Sequence, residues 1–112
     1  MKNLEINNRL WIAMEGKTFL GSGRIRLLEK IGEEGSINKA ARAIGMSYKK
    51  AWQMVDAINS MADEPIVVRQ TGGAGGGGTV LTHKGKKIIR EFRRIDTKCR
   101  ELLITEMKNC CF

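Results

Sequence analysis

Apolar residues recur along this chain with two different spacings, and each spacing predicts a type of secondary structure. Leu10, Ile12 and Met14 lie on alternate positions, which is typical of a strand. The pair Glu15–Gly16 offers a turn into a second short strand with β-branched and aromatic residues. The pattern therefore predicts an N-terminal β-hairpin over residues 9–20.

Three helices are predicted after this hairpin, because apolar residues then recur three and four positions apart. Ser22, Ser36 and Ser47 are the expected N-caps of these helices. The expected buried positions are Ile25, Leu28 and Ile31, then Ile37, Ala40, Ala41 and Ile44, then Ala51, Val55 and Ile58. Gly45 suits the left-handed conformation that ends a helix. Two helices joined by such a short turn predict a helix-turn-helix over residues 36–62.

A glycine-rich hairpin and a long helix are predicted for the rest of the chain. The segments Ile66–Thr71 and Thr79–Leu81 are rich in β-branched residues and predict two strands. The residues between them are almost all glycine, so the hairpin over residues 66–82 has the character of a wing. Thr82 is the expected N-cap of a last helix over residues 83–107.

The predicted order of elements is an N-terminal hairpin, three helices, a wing and a long C-terminal helix. We therefore expect the fold class to be mainly α with small β (α+β), a winged helix-turn-helix in a single domain over residues 1–112. The last helix carries apolar residues with a heptad-like spacing, namely Ile88, Phe92, Ile95, Cys99 and Leu102. These residues either pack on the chain's own core or form a dimerisation seam. We favour a homodimer, because few other elements remain to cover the stripe.

The charge of the chain favours a polyanionic partner. The chain has 20 Lys and Arg against 12 Asp and Glu, a net charge of +8. Charge alone leaves open a merely soluble basic protein. The sequence has no apolar run of the ~20 residues that span a bilayer and no signal peptide at its start. Its three cysteines include an adjacent terminal pair and make a poor disulfide framework, with Cys99 expected in the core. We expect a cytoplasmic protein without a membrane partner.

Residues at the start of the third helix are the main candidates for DNA contact. In a helix-turn-helix the second helix enters the major groove, and its N-terminal residues reach the base edges. The candidate DNA-binding residues are Ser36, Ser47, Tyr48, Lys49, Lys50, Gln53, Arg69, Gly73, Gly75, Gly76, Gly77 and Lys84. Lys49, Lys50, Arg69, Lys84 and the last helix are the expected phosphate contacts, and Lys49 and Lys50 are also able to contact guanine. Trp52 either packs between helices or supports this surface, and the pattern leaves both interpretations open.

The glycine run also satisfies the dinucleotide-binding pattern G-x-G-x-x-G at Gly73, Gly75 and Gly78. That pattern requires a helix directly after the glycines, whereas Thr79–Thr82 is predicted to be a strand. No set of catalytic residues can be assembled, and the one histidine, His83, is expected at a helix start as a capping or phosphate-side residue. We expect no enzyme, no cofactor and no metal site.

Several motifs in combination resemble one known family. They are Gly35-Ser36-Ile37 with Ala40-Ala41, Gly45-Met46-Ser47-Tyr48-Lys49 with Ala51-Trp52, and Thr71-Gly72-Gly73 with the run to Gly78 and Leu81-Thr82. Over residues 9–95 the chain resembles the N-terminal DNA-binding domain of the ModE family, molybdate-responsive regulators whose winged helix is related to that of LysR-type regulators. The resemblance implies a homodimeric transcription factor with Ser47–Lys50 on the recognition helix and Gly72–Gly78 as the wing.

One departure from this family limits the resemblance. Full-length ModE carries C-terminal molybdate-binding modules, and the residues before Phe112 leave no length to build them. We therefore expect a stand-alone DNA-binding domain, and molybdate sensing is not carried over. A separate effector-binding protein is left open as a partner. The alternative function is a winged-helix protein-interaction module that partners such an effector-sensing protein.

Overall fold

The computed structural model describes residues 3–70 and 78–112, and over these ranges it is a winged helix of the α+β class. Its elements in chain order are β1 (Trp11–Met14), β2 (Lys17–Gly21), α1 (Ser22–Glu34), α2 (Ile37–Ala43), α3 (Tyr48–Met61), β3 (Val67–Gln70), β4 (Gly78–Leu81) and α4 (His83–Lys108). This order confirms the predicted fold class.

The N-terminal hairpin forms where the alternating pattern predicts it. β1 and β2 are antiparallel, and Met14 pairs with Lys17 across the turn. Both turn residues have positive φ angles, 50° at Glu15 and 79° at Gly16, as a tight two-residue hairpin turn requires.

The expected N-cap of α1 is wrong by one residue. Gly21 occupies the cap position, because it remains extended (φ −154°, ψ 179°) and paired with Trp11 at the end of β2. Ser22 is therefore already helical, and the cap residue makes no side-chain hydrogen bond. The hairpin and the helix share this boundary, which leaves no residue between them to act as a separate cap.

A single core fills the space between the helices and the base of the wing. Its buried apolar side chains are Leu20, Ile25, Leu27, Leu28, Ile31, Ile37, Ala40, Ala41, Ala51, Val55, Ile58, Ile66, Val67 and Phe92. The stripes predicted for α1 and α3 are fully among them. Ile44, predicted on the stripe of α2, follows that helix as its C-cap and is only partly buried.

The long helix α4 has two different halves. Its 26 residues correspond to a length of about 39 Å. Gly85 and Phe92 are buried near its start, whereas Leu102 is 60% exposed near its end. The expectation that Cys99 lies in the core is wrong. Its side chain is only partly buried, and Cys99 follows the last residue of α4 that belongs to the core, Phe92. No helix in the described ranges is long and apolar enough to cross a membrane.

Candidate nucleic-acid interface

Two serine caps begin α2 and α3, and a glycine turn connects the two helices. Ser36 Oγ accepts a hydrogen bond from the backbone N of Lys39, and Ser47 Oγ accepts one from the backbone N of Lys50, each at 3.2 Å. Gly45 in the connecting turn has a φ of 69°, the left-handed conformation that glycine adopts without strain. The helix-turn-helix is therefore built from local interactions that the sequence predicts.

The first turns of α3 present polar side chains to solvent. Tyr48 is 51% exposed, and Ser47, Lys49, Lys50 and Gln53 are also exposed. The core-facing residues Ala51, Val55 and Ile58 hold the opposite side of α3 against the molecule. An exposed helix start with two lysines is able to offer hydrogen bonds and positive charge to a polyanion.

A groove of about 320 Å³ lies between the start of α3 and the wing strands. The N-cap Ser36 and Asn38 line it at the start of α2, Tyr48 and Trp52 line it from α3, and Arg69 lines it from β3. The structure thus brings three of the predicted DNA-binding residues, Ser36, Tyr48 and Arg69, together with Trp52 on one concave surface. No acidic side chain lines this groove in the described parts of the chain.

Trp52 lines this groove and contacts both Tyr48 and Arg69. The ring of Tyr48 meets the ring of Trp52 edge-on, with 6.2 Å between centroids and an interplanar angle of 84°. Cζ of Arg69 lies over the Trp52 ring, 4.9 Å from its centroid, which is a cation–π distance. Trp52 is partly buried against the core and also contacts Tyr48 and Arg69, so both interpretations that the sequence left open have support.

Thr79 fastens the wing to the start of α2, and sequence reasoning did not find it. Its Oγ1 accepts a hydrogen bond from the backbone N of Ile37 at 3.1 Å, and its backbone N donates to the carbonyl of Gly35 at 3.0 Å. A β carbon on the preceding Gly78 would lie 2.5 Å from that same carbonyl oxygen. Only a glycine at 78 permits this approach, and nothing in the sequence links residues 42 positions apart.

The remaining predicted DNA contacts lie elsewhere or outside the described residues. Lys84 is at the start of α4, where its Nζ lies 3.6 Å from Oδ1 of Asp63, and it does not line the groove. The wing glycines Gly73, Gly75, Gly76 and Gly77 lie outside the described residues.

The predicted dimerisation stripe divides at the edge of the core. Phe92 is 1% exposed and Ile88 packs against the core, so both contact the chain's own interior. Ile95 is 36% and Leu102 is 60% exposed, and Cys99 between them is partly buried. The first half of the stripe therefore packs on the chain's own core. The second half leaves an apolar surface that is available for contact with another chain.

The fold and this exposed helix start define a winged helix-turn-helix domain of the bacterial regulator class. The family model for bacterial regulatory helix-turn-helix proteins of the lysR family matches residues 23–86, which include α2, α3 and both wing strands. The chain belongs to this family.

Several relatives of the chain carry ModE names. It is 48% identical over 86 residues to the molybdenum transport protein ModE of Azotobacter vinelandii, covering 77% of this chain and 32% of that protein. It is 41% identical over 81 residues to the DNA-binding transcriptional dual regulator ModE of Escherichia coli K12, covering 72% of this chain and 31% of that protein. The chain thus spans about a third of the length of these relatives. The comparison confirms the resemblance to a ModE-like DNA-binding domain.

Proposed function

We propose that this domain binds double-stranded DNA in a sequence-specific manner and acts as a transcriptional regulator. The observation that supports this most directly is the exposure of Ser47, Tyr48, Lys49, Lys50 and Gln53 at the start of the second helix of a helix-turn-helix. These are the positions from which a recognition helix reaches base edges. The relative from Escherichia coli, named a DNA-binding transcriptional dual regulator, supports the same function.

Affinity and specificity come from different members of this surface. Lys49, Lys50 and Arg69 neutralise phosphates and supply affinity that falls with salt. Tyr48 and Gln53 donate or accept hydrogen bonds at base edges and supply discrimination between sequences. Among the described residues, Lys49 and Lys50 take no part in an ion pair, so their charge is available to the DNA.

The domain acts as a homodimer in this proposal. The apolar surface on the second half of α4, which includes Ile95 and Leu102, is the proposed contact between two copies. A two-fold dimer requires a roughly palindromic operator whose half-sites lie about one helical turn (~34 Å) or a multiple apart.

Selection of bound sequences from random duplex DNA tests this function. We expect recovery of a palindromic motif with that spacing. Titration of the selected duplex against salt gives a slope of log K on log salt near −5 if about six phosphates are engaged. A flat response to all duplexes would contradict DNA binding and favour a protein-interaction module.

A matched pair of double variants locates the contact on α3. Lys49→Ala with Lys50→Ala removes two charges from the recognition helix, and the slope becomes less steep by about 1.8. Lys98→Ala with Lys108→Ala removes two charges from the exposed far half of α4. The control pair leaves the slope near the wild-type value. Equal effects of the two pairs would mean that only net charge matters.

A further inference from the structure

The groove between α3 and the wing strands has a defined place on a DNA duplex. An α-helix with its side chains is about 10–12 Å wide and the major groove of B-DNA is about 12 Å wide, so a helix inserted there fills it. The two sugar–phosphate backbones that border the major groove then run along the flanks of α3. On the flank of α3 that faces β3 and β4, the space for a sugar–phosphate backbone is the groove lined by Trp52.

We propose that this groove holds one backbone phosphate of the bound DNA, and that Trp52 is the positioning residue that holds Arg69 for it. The inference rests on the proposed DNA-binding function and adds to it a defined site and a role for Trp52. The site combines Arg69 and Trp52 with Ser36 and Asn38 on its opposite wall.

The stacked geometry of Arg69 suits a phosphate. With its Cζ 4.9 Å from the centre of the Trp52 ring, the guanidinium is held at one place on the indole instead of moving freely in solvent. A guanidinium presents its N–H donors in a planar fork that matches phosphate oxygens. A lysine at this position would carry the charge without the planar stacking or the fork.

The opposite wall and the electrostatics of the groove agree with an anionic occupant. Ser36 Oγ accepts a hydrogen bond from Lys39 N, so its own hydroxyl proton remains to be donated. Asn38 is exposed at the mouth of the groove, where its amide group is within the same concavity. Since no acidic side chain lines the groove in the described ranges, nothing there competes for Arg69.

The contacts of Trp52 also connect the two elements, α3 and β3, that are proposed to bind the DNA together. Tyr48 and Arg69 both contact Trp52, so the recognition helix and β3 are connected through one indole ring. Thr79 fixes β4 to the start of α2 on the far side of the groove. The width of the groove is therefore set by contacts at both walls before any DNA arrives.

A double-mutant cycle on the selected duplex tests the pairing of Trp52 with Arg69. Arg69→Ala is expected to weaken binding about fivefold to tenfold and to make the salt slope less steep by about 0.9. Trp52→Leu, which removes the aromatic face, is expected to weaken binding about fivefold. In the Arg69→Ala background Trp52→Leu adds little, because there is no guanidinium left to position. Trp52→Phe keeps a ring and stays within about twofold of the wild type.

Controls separate positioning from loss of structure. Trp11, the other tryptophan, is 57% exposed on the N-terminal hairpin, and Trp11→Leu should leave affinity and salt slope unchanged. NMR of the unaltered protein gives a readout that needs no variant to fold. The side-chain protons of Arg69 should show an upfield ring-current shift that persists in the DNA complex.

The outcomes distinguish this inference from the function on which it rests. If the wild type binds the duplex but Trp52→Leu and Arg69→Ala have additive effects, Trp52 does not position Arg69 and the inference is wrong. Loss of the ring-current shift on DNA binding would overturn it as well. If the wild type binds no duplex, the proposed function itself fails.

Discussion

Asn59, in the last turn of α3, is hydrogen-bonded to Val67 at the start of β3 through both atoms of its amide group. Its Oδ1 accepts from the backbone N of Val67 at 3.2 Å, and its Nδ2 donates to the carbonyl of Val67 at 3.0 Å. The same Oδ1 accepts from the backbone N of Ile66 at 2.8 Å. One side chain therefore satisfies three peptide groups where the chain leaves the recognition helix and enters the wing.

Asn59→Ala should destabilise the domain measurably. Ile66 and Val67 are almost fully buried, so their N–H groups would lose their partner where water has little access. The expected loss in the free energy of unfolding is about 1–3 kcal/mol. Denaturant unfolding measures it, with Ser60→Ala as the control: the Ser60 hydroxyl is exposed and bonds only within its own helix, to Ala57. Equal midpoints for the two variants would contradict the role of Asn59.

Local chemistry accounts for what the sequence predicts well. The caps at Ser36, Ser47 and Thr82 are confirmed, since each side chain accepts from a backbone N three residues further on. The positive φ of Gly45 is likewise a property of a short turn. Such interactions depend on residues within a few positions of one another, so the pattern of the chain contains them.

Contacts between distant parts of the chain account for what the sequence does not predict. Trp52 is one turn after Tyr48, but only the fold shows that Arg69 lies over its ring. The heptad spacing of α4 is the same for a core stripe and for a dimer seam. The stripe leaves the core after Phe92, and this point depends on how far α1 extends beside α4. The spacing of apolar residues along α4 does not contain that information.

Gly85 and Gly23 form a matched pair for testing how closely α4 approaches the wing. Both lie in the first turn of a helix, so the helix-forming gain from alanine is similar at the two sites. A β carbon at Gly85 would lie 2.5 Å from the backbone oxygen of Ile66, whereas nothing lies within 4 Å of one at Gly23. That oxygen cannot move away easily, because it accepts a hydrogen bond from the backbone N of Thr82 at 3.0 Å.

Alanine at these two glycines should therefore have effects of opposite sign. Gly23→Ala is expected to raise the free energy of unfolding by about 0.4–1 kcal/mol, because it restricts the unfolded chain without a clash. Gly85→Ala is expected to lower it by about 1–3 kcal/mol through overpacking. Thermal and denaturant unfolding of the two variants give the comparison. A stabilised Gly85→Ala protein would show that α4 does not approach Ile66 so closely.

The two halves of α4 should respond differently to the same kind of truncation. Phe92 is 1% exposed, so Phe92→Ala leaves a cavity and should lower the free energy of unfolding by about 3–5 kcal/mol. Leu102 is 60% exposed in the single chain, so Leu102→Ala should change that free energy by less than about 0.5 kcal/mol. If two copies pair through the second half of α4, Leu102→Ala should raise the dimer dissociation constant about tenfold.

Sedimentation equilibrium over a range of protein concentrations measures that association. Lys98→Ala is the control, because Lys98 is exposed one turn before Leu102 and is not on the apolar stripe. Its dimer dissociation constant should match that of the wild type. A wild-type protein that remains monomeric throughout would contradict the proposed homodimer. A Leu102→Ala protein that associates as strongly as the wild type would place the contact between copies on another surface.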